Sequence, residues 1–277
     1  MSSDNTVRPD FLCIGAQKAG TSWLYDMLRQ HPDIWLPDIK EVHYYDYHFG
    51  EGTGARQWAP KHIENAINRI KSKSNKTSSD LAYINGIELN EPLTKEWYFS
   101  LFNHVEAYNR SVKGEITPEY SAISEAGIKK IKEDLGDIKI IWLVRDPVSR
   151  AISQAKMVLN RSGIDASTVD NTNIDKYVRY KGRADYLQNM PLWEKYFSQI
   201  LYLPYGDIKR APLALLGKVS EFLNVENHTY EGASKVIHRT KPTELTTSAV
   251  DMLVKDSAPQ YDFLEDKFGS EFMERIK

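Results

Sequence analysis

The sequence predicts a three-layer α/β fold, with a central, mainly parallel sheet flanked by helices, and three observations carry that prediction. Apolar runs of strand length alternate with helix-periodic segments, as expected where helices cross between parallel strands. The run KIIWLV at Lys139 to Val144 passes directly into RDPVSR, where Pro147 opens a helix at a position whose missing N–H costs nothing. The stretch Phe11 to Tyr25, FLCIGAQKAGTSWLY, goes from an apolar strand through a loop of small residues into a helix. Both turns fall at the carboxyl ends of strands, where parallel sheets bind ligands.

The elements follow in order. Asp10 to Ile14 reads as a buried strand, and Thr21 to Gln30 as a helix with Trp23, Leu24, Met27 and Leu28 on its apolar side, stopped by Pro32. Ile34 to Leu36 is a short extended piece. The aromatic stretch KEVHYYDYHFG that follows is too irregular to assign, and Gly50 to Ala55 reads as a mobile loop. Ile63, Ile67 and Ile70 predict an amphipathic helix from Pro60, followed by the solvated polar run KSKSNKTSSD. Trp97, Leu101, Phe102, Val105 and Tyr108 recur at helical spacing and read as core. Val112 to Ile116 is a strand closed by Thr117 and Pro118. A helix from Ser124 to Leu135 precedes KIIWLV; beyond it come helices at Ile174 to Tyr180 and Ala184 to Phe197, a strand at Ile200 to Leu203, and a helix from Pro212 to Phe222. The tail from Thr243 to Ile276 is mostly helical.

A chain of 277 residues can bury one large core, and we read a single domain over 1–277 with a flexible segment at 1–9. A formal net charge of −2 gives no global attraction to nucleic acid or anionic membranes, so any anion site must be local. Cys13 is the only cysteine and lies in the first apolar run, which predicts a buried thiol and excludes a disulfide within the chain. MSSDNTVRPD lacks the cationic start and apolar stretch of a signal peptide, and no window is apolar enough for a membrane span. The expectation is a cytoplasmic enzyme.

The first loop is a cradle for a phosphate-like anion. Backbone N–H groups converge there, the following helix adds the positive end of its dipole, and Lys18 adds a full charge. Gly15 and Gly20 keep the four-residue gap of the nucleotide P-loop, yet Thr21 stands where that motif has its lysine. The expected fold is therefore P-loop-like, with its lysine moved to position 18.

Four stretches, GAQKAGTSWLY, KEVHYYD, GEITPEYS and LVRDPVSRAISQ, resemble the sulfotransferases that use 3′-phosphoadenosine 5′-phosphosulfate (PAPS), most nearly the heparan-sulfate and bacterial carbohydrate type. The resemblance implies that Lys18 contacts the bridging oxygen and 5′-phosphate of the donor. It places Gln17, Ala19, Gly20, Thr21, Ser22 and Trp23 around the same phosphate, with Thr21 or Ser22 also able to cap the helix. Arg145 and Ser153 correspond to ligands of the donor's 3′-phosphate, with Arg150 as a helper; a guanidinium at a strand end and a hydroxyl two helical turns on can share one phosphate. The segment SKVIHRTKP resembles the basic loop over the donor's 3′ side, with Lys235, Arg239 and Lys241 as candidates.

KEVHYYD puts Glu41 in the slot of the family's catalytic glutamate. His43 is the alternative base, since histidine does this work in other branches and titrates near neutrality. Lys40 assists at the acceptor or the sulfate. Glu115, Thr117 and Tyr120 match a segment bordering the acceptor pocket. The implied reaction is in-line transfer of a sulfuryl group to a hydroxyl or amine, with adenosine 3′,5′-bisphosphate as product and no metal required. The implied acceptor is a carbohydrate or glycolipid; the aromatic content between positions 23 and 120 also suits a hydroxylated acyl chain or another small molecule. The rival reading is a P-loop kinase or NTPase using ATP and magnesium, with Asp146 as the metal ligand.

Overall fold

The computed structural model describes residues 7–51, 54–178, 185–235 and 244–277. The expected helix end at 179–180, Ala184, Arg239 and Lys241 lie outside these residues, as do residues 1–6. Positions 7–9 are held in place, with Arg8 Nη1 donating to the Asp134 carbonyl at 3.1 Å and Pro9 buried.

Five strands, β1 (Phe11–Gly15), β2 (Ile34–Trp35), β3 (Val112–Ile116), β4 (Lys139–Val144) and β5 (Ile200–Pro204), form one sheet in the order β2-β3-β1-β4-β5. Every pairing is parallel, with Cys13 opposite Ile116 on one side and Ile141 on the other. β1 and β4 are almost continuously apolar because helices cover both of their faces.

Thirteen α-helices are found among the described residues. α1 (Thr21–Leu28) follows β1. Between β2 and β3 lie α2 (Tyr44–Phe49), α3 (Ala55–Lys71), α4 (Ser78–Glu88), α5 (Lys95–Ser100) and α6 (Val105–Tyr108). α7 (Glu125–Leu135) leads to β4, and α8 (Pro147–Ser162) and α9 (Asp175–Val178) follow it. Then come α10 (Tyr186–Glu194), α11 (Asp207–Arg210), α12 (Pro212–Leu223) and α13 (Thr247–Arg275), the last interrupted at Gly269 by a φ of 76°.

The insertion between β2 and β3 is where sequence pattern and structure part. KEVHYYDYHFG contains α2, and the polar run ends in α4, whose start is a capping box: Thr77 Oγ1 accepts from Asp80 N at 3.1 Å, and Thr77 N donates to Asp80 Oδ2 at 2.7 Å. α3 begins at Ala55, the end of the expected loop, and takes Pro60 within its first turns. Ile63, Ile67 and Ile70 are buried as their spacing predicts. The repeat from Trp97 to Tyr108 is split by a cap at His104, so Trp97, Leu101 and Phe102 are core while Val105 and Tyr108 are 51 % and 61 % exposed. Cys13 is buried, and burial pushes its thiol up to about 12.

Candidate active site

The carboxyl ends of all five strands open toward one end of the sheet. Each carries a segment that the site uses: the Lys18 loop, Glu41, Thr117, Arg145 and Tyr205. The loop after β1 turns through two left-handed residues, Lys18 (φ 70°) and Gly20 (φ 89°). Gly20 is the N-cap of α1 and brings no side chain, so neither Thr21 nor Ser22 caps the helix and its first N–H groups stay available to an anion. A Cβ at Gly20 would lie 2.3 Å from Ile208 Cδ1 of α11.

Cations gather at this loop. Lys18 is half-buried, with Nζ 3.7 Å from Met157 Sδ on α8. Burial, then the charges of Arg145 and Arg161, lower its pKa; Glu41 acts the other way. Arg145 Nη1 donates to the Lys18 carbonyl at 2.7 Å, and its guanidinium carbon sits 4.3 Å from the centre of the Tyr205 ring. Its Nε is buried with no hydrogen-bond partner among the described residues. Ser153 lies one turn before Met157, the α8 residue that Lys18 approaches, on the same face of the helix. Arg150, by contrast, is buried in the helix's inner face. Trp23 is core, its Nε1 donating to the Ala233 carbonyl at 2.9 Å, and Ala19 is likewise buried. Only the backbone of these two can serve a ligand. Lys235 is exposed at the end of a described segment.

Across from the loop, Glu41 (φ 61°) and His43 (φ 55°) are again left-handed. Glu41 is 30 % exposed along its side chain and pairs with Lys40. Its second oxygen is 3.8 Å from His43 Nε2, while His43 Nδ1 is 3.0 Å from Asp46 Oδ2. Burial disfavours charge on Glu41, but the neighbouring His43 imidazolium and the Lys40 ammonium outweigh it and hold the carboxyl well below the usual carboxylate range. Burial also disfavours charge on His43, yet Asp46, then Glu41 and Glu119, push the imidazole up to about 10. At neutral pH Glu41 is therefore an ionised, partly accessible carboxylate, and His43 a buried imidazolium clamped between acids. A base must be unprotonated and accessible, and of the two the Glu41 side chain suits that demand better. The aromatic wall of this side comes from α3: Trp58 meets His43 edge-on at 4.4 Å between ring centres, and His62 Nε2 donates to the Lys40 carbonyl at 3.1 Å.

Two parts of the sequence reading are corrected. Glu115, Thr117 and Tyr120 are 0–2 % exposed. They lie beneath the Glu41 segment rather than on a pocket wall, because the strand end they occupy is roofed by α2. Asp146 is also committed: its Oδ1 caps α8 by accepting from Ser149 N at 2.7 Å, and its Oδ2 accepts the Tyr261 hydroxyl proton.

Sequence reasoning missed Asp46, Glu119, Arg161 and Tyr205. Asp46 was visible as an acid three residues after His43 at the head of a helix. Glu119 accepts from Gln17 Nε2 and faces His43, so it joins the loop after β1 to the His43 cluster; that link needs the tertiary fold. The ligand atoms of Glu41, His43 and Glu119 lie within 4.8 Å of one another, a set compact enough for a cation. With His43 protonated, the set already contains its own positive charge.

The family model described as the Sulfotransferase family matches residues 9–229. The chain is 25 % identical over 231 residues to human heparan sulfate glucosamine 3-O-sulfotransferase 3B1, covering 79 % of this chain and 46 % of that protein. It is 27 % identical over 146 residues to the membrane-associated sulfotransferase kil1 of Dictyostelium discoideum, covering 53 % of this chain and 22 % of that one. The chain thus spans about half, or less, of the length of these relatives. Among solved structures, a sulfotransferase from Alicyclobacillus acidocaldarius superposes with a TM-score of 0.62 at 22 % identity, covering 94 % of this chain and 95 % of that one. With a family model spanning most of its length, the chain belongs to the Sulfotransferase family.

Proposed function

We propose that this chain transfers a sulfuryl group from PAPS to a hydroxyl or amine of a carbohydrate or glycolipid acceptor. The observation that carries the reading is an anion cradle with an ionised carboxylate nearby: Arg145 Nη1 binds the Lys18 carbonyl at 2.7 Å, and the charge of Glu41 acts on Lys18. Bound in the cradle, PAPS supplies the sulfuryl group and departs as adenosine 3′,5′-bisphosphate. Lys18 and the first N–H groups of α1 hold the phosphate that accumulates charge as the S–O bond breaks. This assistance is worth more in the transition state than before it. Arg145 and Ser153 hold the second phosphate, and the unpartnered Nε and planar fork of Arg145 suit that task. Glu41 takes the proton of the acceptor as its oxygen or nitrogen bonds to sulfur. A weak carboxylate base suffices where bond formation lags bond breaking, as in kinases.

The names of the heparan sulfate relatives support a sugar acceptor. So does the ring of Trp58 beside His43, since a half-buried indole suits stacking on a pyranose. Calorimetric titration with adenosine 3′,5′-bisphosphate should show tight binding, and ATP with magnesium little. The reverse order of affinities would overturn the proposal. Radiolabelled PAPS offered with a panel of sugars, glycolipids and hydroxylated acyl chains then identifies the acceptor.

A further inference from the structure

Beneath the Glu41 segment lies a hydrogen-bonded network whose polarity can be read from its donors. Val42 N donates to Thr117 Oγ1 at 2.9 Å, and Tyr44 N and Tyr45 N donate to the Tyr120 hydroxyl at 3.2 and 3.4 Å. Backbone N–H groups can only donate, so both hydroxyls accept there and have their single protons free for another partner. That partner is Glu115: Thr117 Oγ1 donates to Oε2 at 2.8 Å, and Tyr120 donates to Oε1 at 3.1 Å. Tyr98 of α5 also donates to Oε1, at 2.8 Å. A carboxylate can accept all three protons at once; an amide or a neutral acid cannot do so without presenting a proton of its own.

We infer that Glu115 is a positioning residue for the transfer reaction. By drawing the protons of Thr117 and Tyr120 downward, it makes those hydroxyls acceptors for Val42, Tyr44 and Tyr45, and so fixes the left-handed segment that carries Glu41 and His43. Residues other than glycine adopt positive φ only where their surroundings impose it, and here two such residues flank Val42. The network is buried throughout, so each bond is costly to leave unmade.

The inference rests on Glu41 being the base, and its test separates the two ideas. Amide hydrogen exchange at Val42, Tyr44 and Tyr45 requires no acceptor. It should quicken at least about tenfold in Thr117→Val and Glu115→Gln but not in Thr117→Ser, which keeps the hydroxyl. In the first two variants PAPS turnover on the best acceptor should fall about 10–100-fold, the effect of a misplaced catalytic group. The affinity for adenosine 3′,5′-bisphosphate should stay within about twofold of the parent, and the side-chain carboxyl of Glu41, followed by NMR, should titrate closer to the ordinary carboxylate range. Unchanged exchange in Thr117→Val and Glu115→Gln overturns the inference whatever the chain catalyses. Losses of nucleotide affinity and turnover in equal proportion also overturn it, since they mark a general structural role. If Glu115→Gln does not fold, the Thr117 pair carries the test. Altered exchange together with full turnover in Glu41→Gln would leave the segment's anchoring intact and remove the base assignment instead.

Discussion

Arg145 donates through Nη1 to the main-chain carbonyl of Lys18 at 2.7 Å, so the cation closing β4 braces the loop that follows β1. The same guanidinium lies on Tyr205, at the end of β5, and three neighbouring strands are thereby locked at the cradle. Lysine cannot reproduce a planar fork that stacks and donates at once. Arg145→Lys should weaken binding of adenosine 3′,5′-bisphosphate by about 10–100-fold, the worth of a charge-assisted bond. Calorimetry checks this, and undiminished affinity would reduce Arg145 to a brace.

Lys18 is a half-buried cation facing two others, and its ammonium costs the resting protein something. Lys18→Met should lower turnover by about 10²–10³-fold, the usual effect of removing a preorganised electrostatic donor. Melting temperature should hold or rise, because the repulsion from Arg145 and Arg161 is relieved. A parallel fall in melting temperature and turnover would point to a packing role.

The cluster around His43 sets the alkaline limb of stability. Its folded-state pKa, about 10, lies above the ordinary value near 6.5, so the folded state binds its proton more tightly than the unfolded chain. The contribution is complete below about pH 6.5, declines as pH rises, and is gone above about pH 10. Chemical denaturation across that window should show falling stability in the parent and a flatter curve in His43→Gln. Glu41 has the opposite sign: its depressed pKa gives stability present at neutral pH and lost only in strong acid.

Burial raises the Glu115 carboxyl to about 7, against the bonds from Thr117, Tyr98 and Tyr120 and the nearby charge of His43, all of which favour the ionised form. Tyr98 and Tyr120 are themselves held well above the phenol range by burial, so neither ionises in its place. Folding stability from Glu115 is then greatest below about pH 4.5 and lost as pH rises through about 7, the range in which the ionised network forms. Turnover should climb through about pH 7 with an apparent pKa that neither Glu41 nor His43 can supply. Glu115→Gln should abolish that limb in a pH–rate profile; its persistence would assign the limb elsewhere.

At Gly20 a φ of 89° combines with close approach to Ile208. Gly20→Ala should destabilise the protein by about 1–2 kcal/mol through backbone strain alone. Adding Ile208→Ala should relieve only the contact, leaving most of the loss in a thermal melt.

The sheet and the turn after β1 were legible because their signals are local. FLCIG and KIIWLV are apolar throughout, as strands covered on both faces must be, and the small residues of GAQKAG announce a turn that approaches a ligand. The KEVHYYD motif singled out Glu41 for attention, and the structure leaves its carboxylate partly accessible. The state of His43 was not legible, because a buried imidazolium depends on Asp46, Glu41 and Glu119 meeting around it, and Glu119 comes from another strand's end. Glu115 was misjudged for a related reason: whether a polar residue at a strand terminus faces solvent depends on what roofs it, and α2 lay in a stretch with no clean period. Val105 and Tyr108 kept helical spacing across a break that His104 imposes.

The chain between Trp35 and Val112 carries Glu41, Trp58, His62 and five helices, whereas the cradle is assembled from β1, β4, β5 and the elements that follow them. The two groups of residues thus come from different parts of the scaffold and meet through Gln17 and Glu119. On the proposed function, a library confined to α3 and the turns beside it, leaving residues 40–46 and 115–120 untouched, should alter the choice of acceptor while leaving adenosine 3′,5′-bisphosphate binding unchanged.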